Sequence, residues 1–120
     1  MVETTLDRLR RVDMLLDDIE GEMRRLALWS DEPPPVAHMA SRMPFCYDTL
    51  KFWQWLQWIL VPRIRLILAD GGTLPDASGI APLAEVEFRR LSQDSSRLLE
   101  LIREFDSAIC EKSITEQTAK

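Results

Sequence analysis

Residues Phe52 to Ala69 read FWQWLQWILVPRIRLILA, the most apolar stretch of the chain. It approaches the length of a membrane span, yet Gln54, Gln57, Pro62, Arg63 and Arg65 interrupt it. Arginine is costly at a bilayer centre, so the stretch reads as a helix buried inside a protein. Apolar residues cover most of its circumference, which predicts a central helix touched by several neighbours. Asp48 or Thr49 is its expected cap, Pro62 should kink it and free the Trp58 carbonyl, and Asp70-Gly71-Gly72 should end it.

Outward from this segment the pattern stays helical. Upstream, Val2, Leu9, Leu16 and Met23 recur every seventh position with Val12, Ile19 and Leu26 between them, a heptad stripe ending near Leu28. Thr4 or Thr5 is a plausible N-cap. The stripe could pack within the bundle or weakly against a second copy. Ser30-Asp31-Glu32-Pro33-Pro34-Pro35 must stop this helix, and the connector through Pro44 is longer than the usual helix–helix link. Phe45, Cys46 and Tyr47 suggest that the connector is packed. Downstream, Pro82 sits where a first-turn proline belongs and opens a short helix carrying Leu83, Val86, Phe88 and Leu91. Leu98, Ile102, Phe105 and Ile109 form the stripe of the last helix. No run alternates with period two over strand length. The expectation is all-α: a compact four-helix bundle with a long Pro-rich loop between helices 1 and 2, formed by residues 1–112, with 113–120 a frayed polar tail.

The 120 residues carry a formal net charge of −5, two cysteines and one histidine. One small domain fits that length. An acidic chain lacks the positive field that broad nucleic-acid binding requires. The N-terminus has no basic region followed by an apolar one, so cytoplasmic residence is expected, with Cys46 and Cys110 reduced. Two cysteines and His38 make no metal quartet, and neither a phosphate loop nor a nucleophile motif occurs. Neither cofactor nor enzymatic activity is expected. Carboxylates at Asp31, Glu32, Asp48 and Glu85 would support a small hydrolase only if they converged in space.

The surplus lies in the tryptophans. Trp53, Trp55 and Trp58 share one helix; Trp55 and Trp58 are neighbours on its surface, and Trp53 points about 160° from Trp55. One face can be core while the other recognises a partner, because tryptophan and arginine dominate binding hot spots and Arg63 lies within reach of Trp58. All three could equally fill the bundle.

Ser30-Asp31-Glu32-Pro33, Pro44-Phe45 with Asp48-Thr49, Trp55-Leu56-Gln57-Trp58 with Pro62-Arg63, then Leu74-Pro75 and Ala81-Pro82, in that order, resemble the YqcC family of small bacterial proteins. The resemblance runs from about Thr5 to Ile109. It implies a four-helix bundle with a long first loop and no established enzymatic function. Its genes often lie beside a tRNA pseudouridine synthase of the TruC type, which makes that synthase the partner the resemblance suggests. Together these readings predict a non-enzymatic interaction module whose partner-binding surface combines Asp31, Glu32, Pro33, Phe45, Asp48, Trp55, Trp58 and Arg63. The rival is an accessory factor for an RNA-modifying enzyme that touches RNA through Arg63, Arg65 and the aromatic rings.

Overall fold

Thr4 starts the first helix: its hydroxyl accepts from the Asp7 backbone N–H at 3.0 Å, and Asp7 sits in the first turn, where a carboxylate is favoured. In the computed structural model, which describes residues 4–118, this helix, α1, spans Thr5–Arg25. Its stripe is inward, with Val12, Leu15, Leu16, Ile19 and Met23 buried; Val2 lies outside the described residues. The helix stops in a Schellman turn. Leu28 N–H donates to the Met23 carbonyl at 2.8 Å and Ala27 N–H to that of Arg24 at 3.1 Å, which requires φ of 61° at Ala27.

The connector is packed in part. It holds a single helical turn at Val36–Met39 and a 3₁₀ turn at Pro44–Cys46, and Cys46 is buried while Tyr47 is exposed. The next helix, α2, begins later than the sequence suggests: Phe52–Trp55, then a π-turn at Leu56–Leu60, then Val61–Asp70. Neither Asp48 nor Thr49 caps it. Asp48 accepts from Ser41 Oγ at 2.5 Å and Thr49 Oγ1 donates to the His38 carbonyl at 2.6 Å, so both serve the connector. The Gln54 side chain instead accepts from Lys51 N–H at 2.8 Å. Pro62 is accommodated by the π-turn, in which Val61 N–H reaches back five residues to the Leu56 carbonyl. The helix ends at Gly71, whose φ of 69° supplies the left-handed cap.

Helix α3 spans Ala81–Phe88 and α4 spans Ser96–Thr118, through the first residues of the segment expected to be a frayed tail. The Asp106 carboxylate on α4 caps α3, accepting from Ile80 N–H at 3.1 Å, Ala81 N–H at 2.8 Å and Ser78 Oγ at 2.5 Å. Leu98, Leu101, Ile102, Phe105, Ala108 and Ile109 are buried along α4, which packs lengthwise on α1 and carries α3 on its flank. Arg8 ties the first pair together through the Ala108 and Ile109 carbonyls at 2.8 and 2.7 Å. The chain is therefore all-α, four helices of two turns or more, with no strand among the described residues.

The central place expected for α2 changes as well. α2 lies on one side of the bundle, with Pro62, Arg63 and Leu66 exposed, and α4 takes the more central place. The reason is the π-turn. At about 100° per residue, the buried residues Phe52, Trp55 and Leu56 would point about 130° away from Leu60, Val61 and Ile64. The extra residue in a π-turn takes back about 100°, so the two sets join in one buried stripe. A uniform helix makes the same residues look apolar all round.

Two substitutions test this frame. Ala27→Gly should raise stability by up to about 1 kcal/mol, because glycine adopts the left-handed conformation without the Cβ clash. Gln57, buried at 5% exposure, accepts from Ser30 N–H at 2.9 Å and donates to the Ser30 carbonyl at 2.5 Å. Gln57→Ala should cost about 1–3 kcal/mol by stranding both groups. Urea unfolding measures both changes.

Candidate partner-binding surface

The connector meets α2 through two residues in an unusual conformation. Phe45 and Cys46 have φ of 58° and 50°, a left-handed pair that costs of order 1–3 kcal/mol per residue unless packing holds it. Packing does hold it. The Phe45 ring meets the Trp55 ring edge-on, centroids 4.8 Å apart, and lies 6.4 Å from Phe52, while Trp55 stacks on Phe52 at 6.0 Å. Thr49 and Leu50 N–H close the turn on the Cys46 carbonyl at 3.0 and 2.8 Å.

Between this turn and α2 lies a groove of about 570 Å³, lined by Met39, Met43, Phe45, Trp58, Ile59 and Arg63, with Trp55 also contributing to its wall. On the other side of Trp58 a second depression of about 430 Å³ is lined by Trp29, Asp31, Gln57, Pro62 and Arg65. Trp58 is the wall they share. Of the residues expected to form one surface, the structure brings Phe45, Trp55, Trp58 and Arg63 to the first groove and Asp31 to the second. Asp48 reaches the first only through Ser41, and Glu32 and Pro33 line neither. Trp55 is 8% exposed, so it supports Phe45 from within the core.

The tryptophans differ in how far the chain itself occupies them. Arg24 lies over the Trp29 ring at 5.2 Å and Lys51 over Trp53 at 5.6 Å. Trp58 is half-buried and has no such cation, and no described residue accepts from its indole N–H. Nor do the two arginines of α2 resemble each other. Arg65 donates to Glu20 and Asp17, both at 3.0 Å, whereas Arg63 is exposed and has neither a hydrogen bond nor an ion pair with a described residue.

Sequence reasoning missed Met39, Met43 and Gln57 as parts of this region. The methionines lie in a connector without a period, and Gln57 stood out only as a break in an apolar run. A glutamine among tryptophans is nevertheless a signal, because a buried amide must find partners. Of the carboxylates named for a hydrolase, Asp31 lines the second depression and Glu32, Asp48 and Glu85 line neither. Glu85 pairs with Arg89 and Arg103, Asp48 holds Ser41, and among the described residues no three His, Cys, Asp or Glu groups stand close enough to hold a metal. No described helix is long and apolar enough to cross a membrane.

Residues 11–108 match the DUF446 family model, described as tRNA pseudouridine synthase C. The uncharacterised protein YqcC of Escherichia coli is 35% identical over 83 residues, which cover 69% of this chain and 73% of that protein. The chain belongs to the YqcC family. An uncharacterised protein from Haemophilus influenzae is 36% identical over 81 residues, 65% of this chain and 76% of its own length. The solution NMR structure of Escherichia coli YqcC matches the fold with a TM-score of 0.74 at 26% identity, covering 87% of this chain and 89% of that one. A further relative is named tRNA pseudouridine synthase C, from Pectobacterium carotovorum subsp. carotovorum. It is 36% identical over 70 residues, 58% of this chain but 19% of that protein.

The charges behind Arg65 give a pH prediction. Burial pushes the Glu20 carboxyl up, but hydrogen bonds and charge from Arg24 and Arg65 outweigh it and hold the group below the ordinary glutamate range. A depressed carboxyl contributes stability that is present above its unfolded value and is lost as pH falls through the folded one. Unfolding free energy should therefore drop as pH falls through and below the glutamate range. Arg65→Ala should flatten part of that slope, an effect under about 1 kcal/mol for pairs this exposed. Denaturant unfolding across acidic pH reads it, and an unaltered slope would remove Arg65 from the cause.

Proposed function

We propose that this YqcC-family chain is a non-enzymatic interaction module that serves as an accessory to a tRNA pseudouridine synthase, using Phe45, Trp58 and Arg63 as its contact surface. The carrying observation is the Pectobacterium relative: a stretch similar to this chain takes up 19% of a protein named tRNA pseudouridine synthase C. A segment joined to its partner meets it at about millimolar effective concentration and needs little affinity. A separate chain must bring its own anchors. A half-buried tryptophan and a neighbouring arginine, neither hydrogen-bonded to a described residue, are of the kind that supplies them.

Direct RNA binding has less support. The chain carries −5 overall, and Arg65, one of the cations it would use, is committed to Asp17 and Glu20.

Calorimetry between the full chain and the synthase of the same cell tests the accessory role. A measurable complex is expected, weakened at least tenfold by Trp58→Ala, the scale on which interface tryptophans act. The melting temperature of the variant should stay close to that of the parent. Absence of a complex with the parent chain overturns the role, and a tRNA mobility shift by the chain alone would favour direct RNA contact instead.

A further inference from the structure

The arginines of α1, α3 and α4 largely face carboxylates of the same chain: Arg24 with Glu20, Arg25 with Glu22, Arg90 with Glu87 and Arg97 with Glu100. In an acidic protein that is the expected fate of a surface cation. Arg10, Arg42 and Arg63 depart from it, and of these only Arg63 lines the groove, beside Trp58. Arg42 stands in the chain between Ser41 and Met43, both lining residues. All three arginines are exposed, and none has a hydrogen bond or ion pair with a described residue.

The groove mixes polar lining with adaptable apolar side chains. Met39 and Met43 are unbranched thioethers that fit varied shapes. Val36 at 81%, Met43 at 40% and Tyr47 at 61% are further exposed large side chains of the connector. A trough of thioethers and a tryptophan, with one lining arginine that pairs with no described residue, complements one kind of occupant. We propose that this groove takes an acidic amphipathic segment of a partner protein, its apolar side on Met39, Met43 and Trp58 and a carboxylate on Arg63. Guanidinium forks match carboxylates in two-point contact, and an amphipathic helix presents apolar anchors three and four residues apart with charges beside them. A nucleic acid strand would place a phosphate at Arg63 but would leave Met39 and Met43 without an apolar counterpart.

The inference rests on the accessory role for its choice of a protein partner, and its test separates the two. Labelled synthetic peptides of about 18 residues, with leucines at i, i+3, i+4 and i+7 and flanking positions filled by glutamate, glutamine or lysine, are titrated into the full chain. Fluorescence anisotropy gives the affinities. The glutamate peptide should bind at least about tenfold tighter than the glutamine one, with the gap closing as ionic strength rises. Arg63→Glu should abolish the gap and admit the lysine peptide. Arg89→Glu, at an arginine already paired with Glu85, should change little. Equal binding of glutamate and glutamine peptides, preference of the parent for lysine, or stoichiometric displacement of the glutamate peptide by tRNA each overturns the proposal. A chain that prefers the glutamate peptide but ignores the synthase leaves this inference standing and removes the accessory role. A synthase complex indifferent to Arg63→Glu keeps the accessory role, takes Arg63 out of its contact surface and removes this inference.

Discussion

One missing hydrogen-bond donor, the backbone nitrogen of Pro62, governs the arrangement of the surface. A proline inside a helix removes a bond and crowds the preceding turn. Here α2 absorbs it with the π-turn at Leu56–Leu60, which inserts one residue into the helical register. That slip aligns Phe52, Trp55 and Leu56 with Leu60, Val61 and Ile64 along one buried stripe. It also leaves Trp58 half-buried and Arg63 exposed. Without the slip the two apolar sets would face different directions and α2 could not lie against one side of α1.

The connector completes what the π-turn begins. Left-handed backbone at Phe45 and Cys46 turns the chain back so that the Phe45 ring closes on Trp55 and the methionines face Trp58 across a groove. Gln57, inside the π-turn, grips both backbone groups of Ser30 and fixes where the Pro-rich loop leaves α1. The aromatic surface is therefore held at both ends by contacts with the same five-residue turn or its immediate neighbours. Such preorganisation lowers the ordering cost of binding.

Much of the architecture was legible because it depends on local chemistry. The stripe of α1, its start at Thr4, the left-handed stop at Gly71 and the buried face of α4 each follow from residue type and spacing within one element. What escaped depends on distant partners or on backbone that residue type does not announce. Asp106 caps a helix 25 residues before it in sequence. Neither phenylalanine nor cysteine favours positive φ, so nothing local marks the turn at Phe45. A proline marks a helix fault, but whether the fault becomes a kink or a register slip depends on what the two halves pack against. That Trp58 and Arg63 line one groove was readable from their spacing, and Phe45 entered through the resemblance. The separation of Asp31 from them by the Trp58 ring was not readable, because it depends on where Gln57 fastens the loop.

The central claim is that one α2 face is core and that Trp58, at its edge, is the tryptophan a partner meets. Nitrogen-15 spectra of the full chain resolve the four indole N–H signals, and addition of unlabelled synthase reports which of them change. The Trp58 signal should shift or broaden first, with those of Trp29 and Trp53, each covered by a cation of its own chain, nearly unmoved. Perturbation confined to Trp53 would place the contact on the opposite side of α2 and contradict the account.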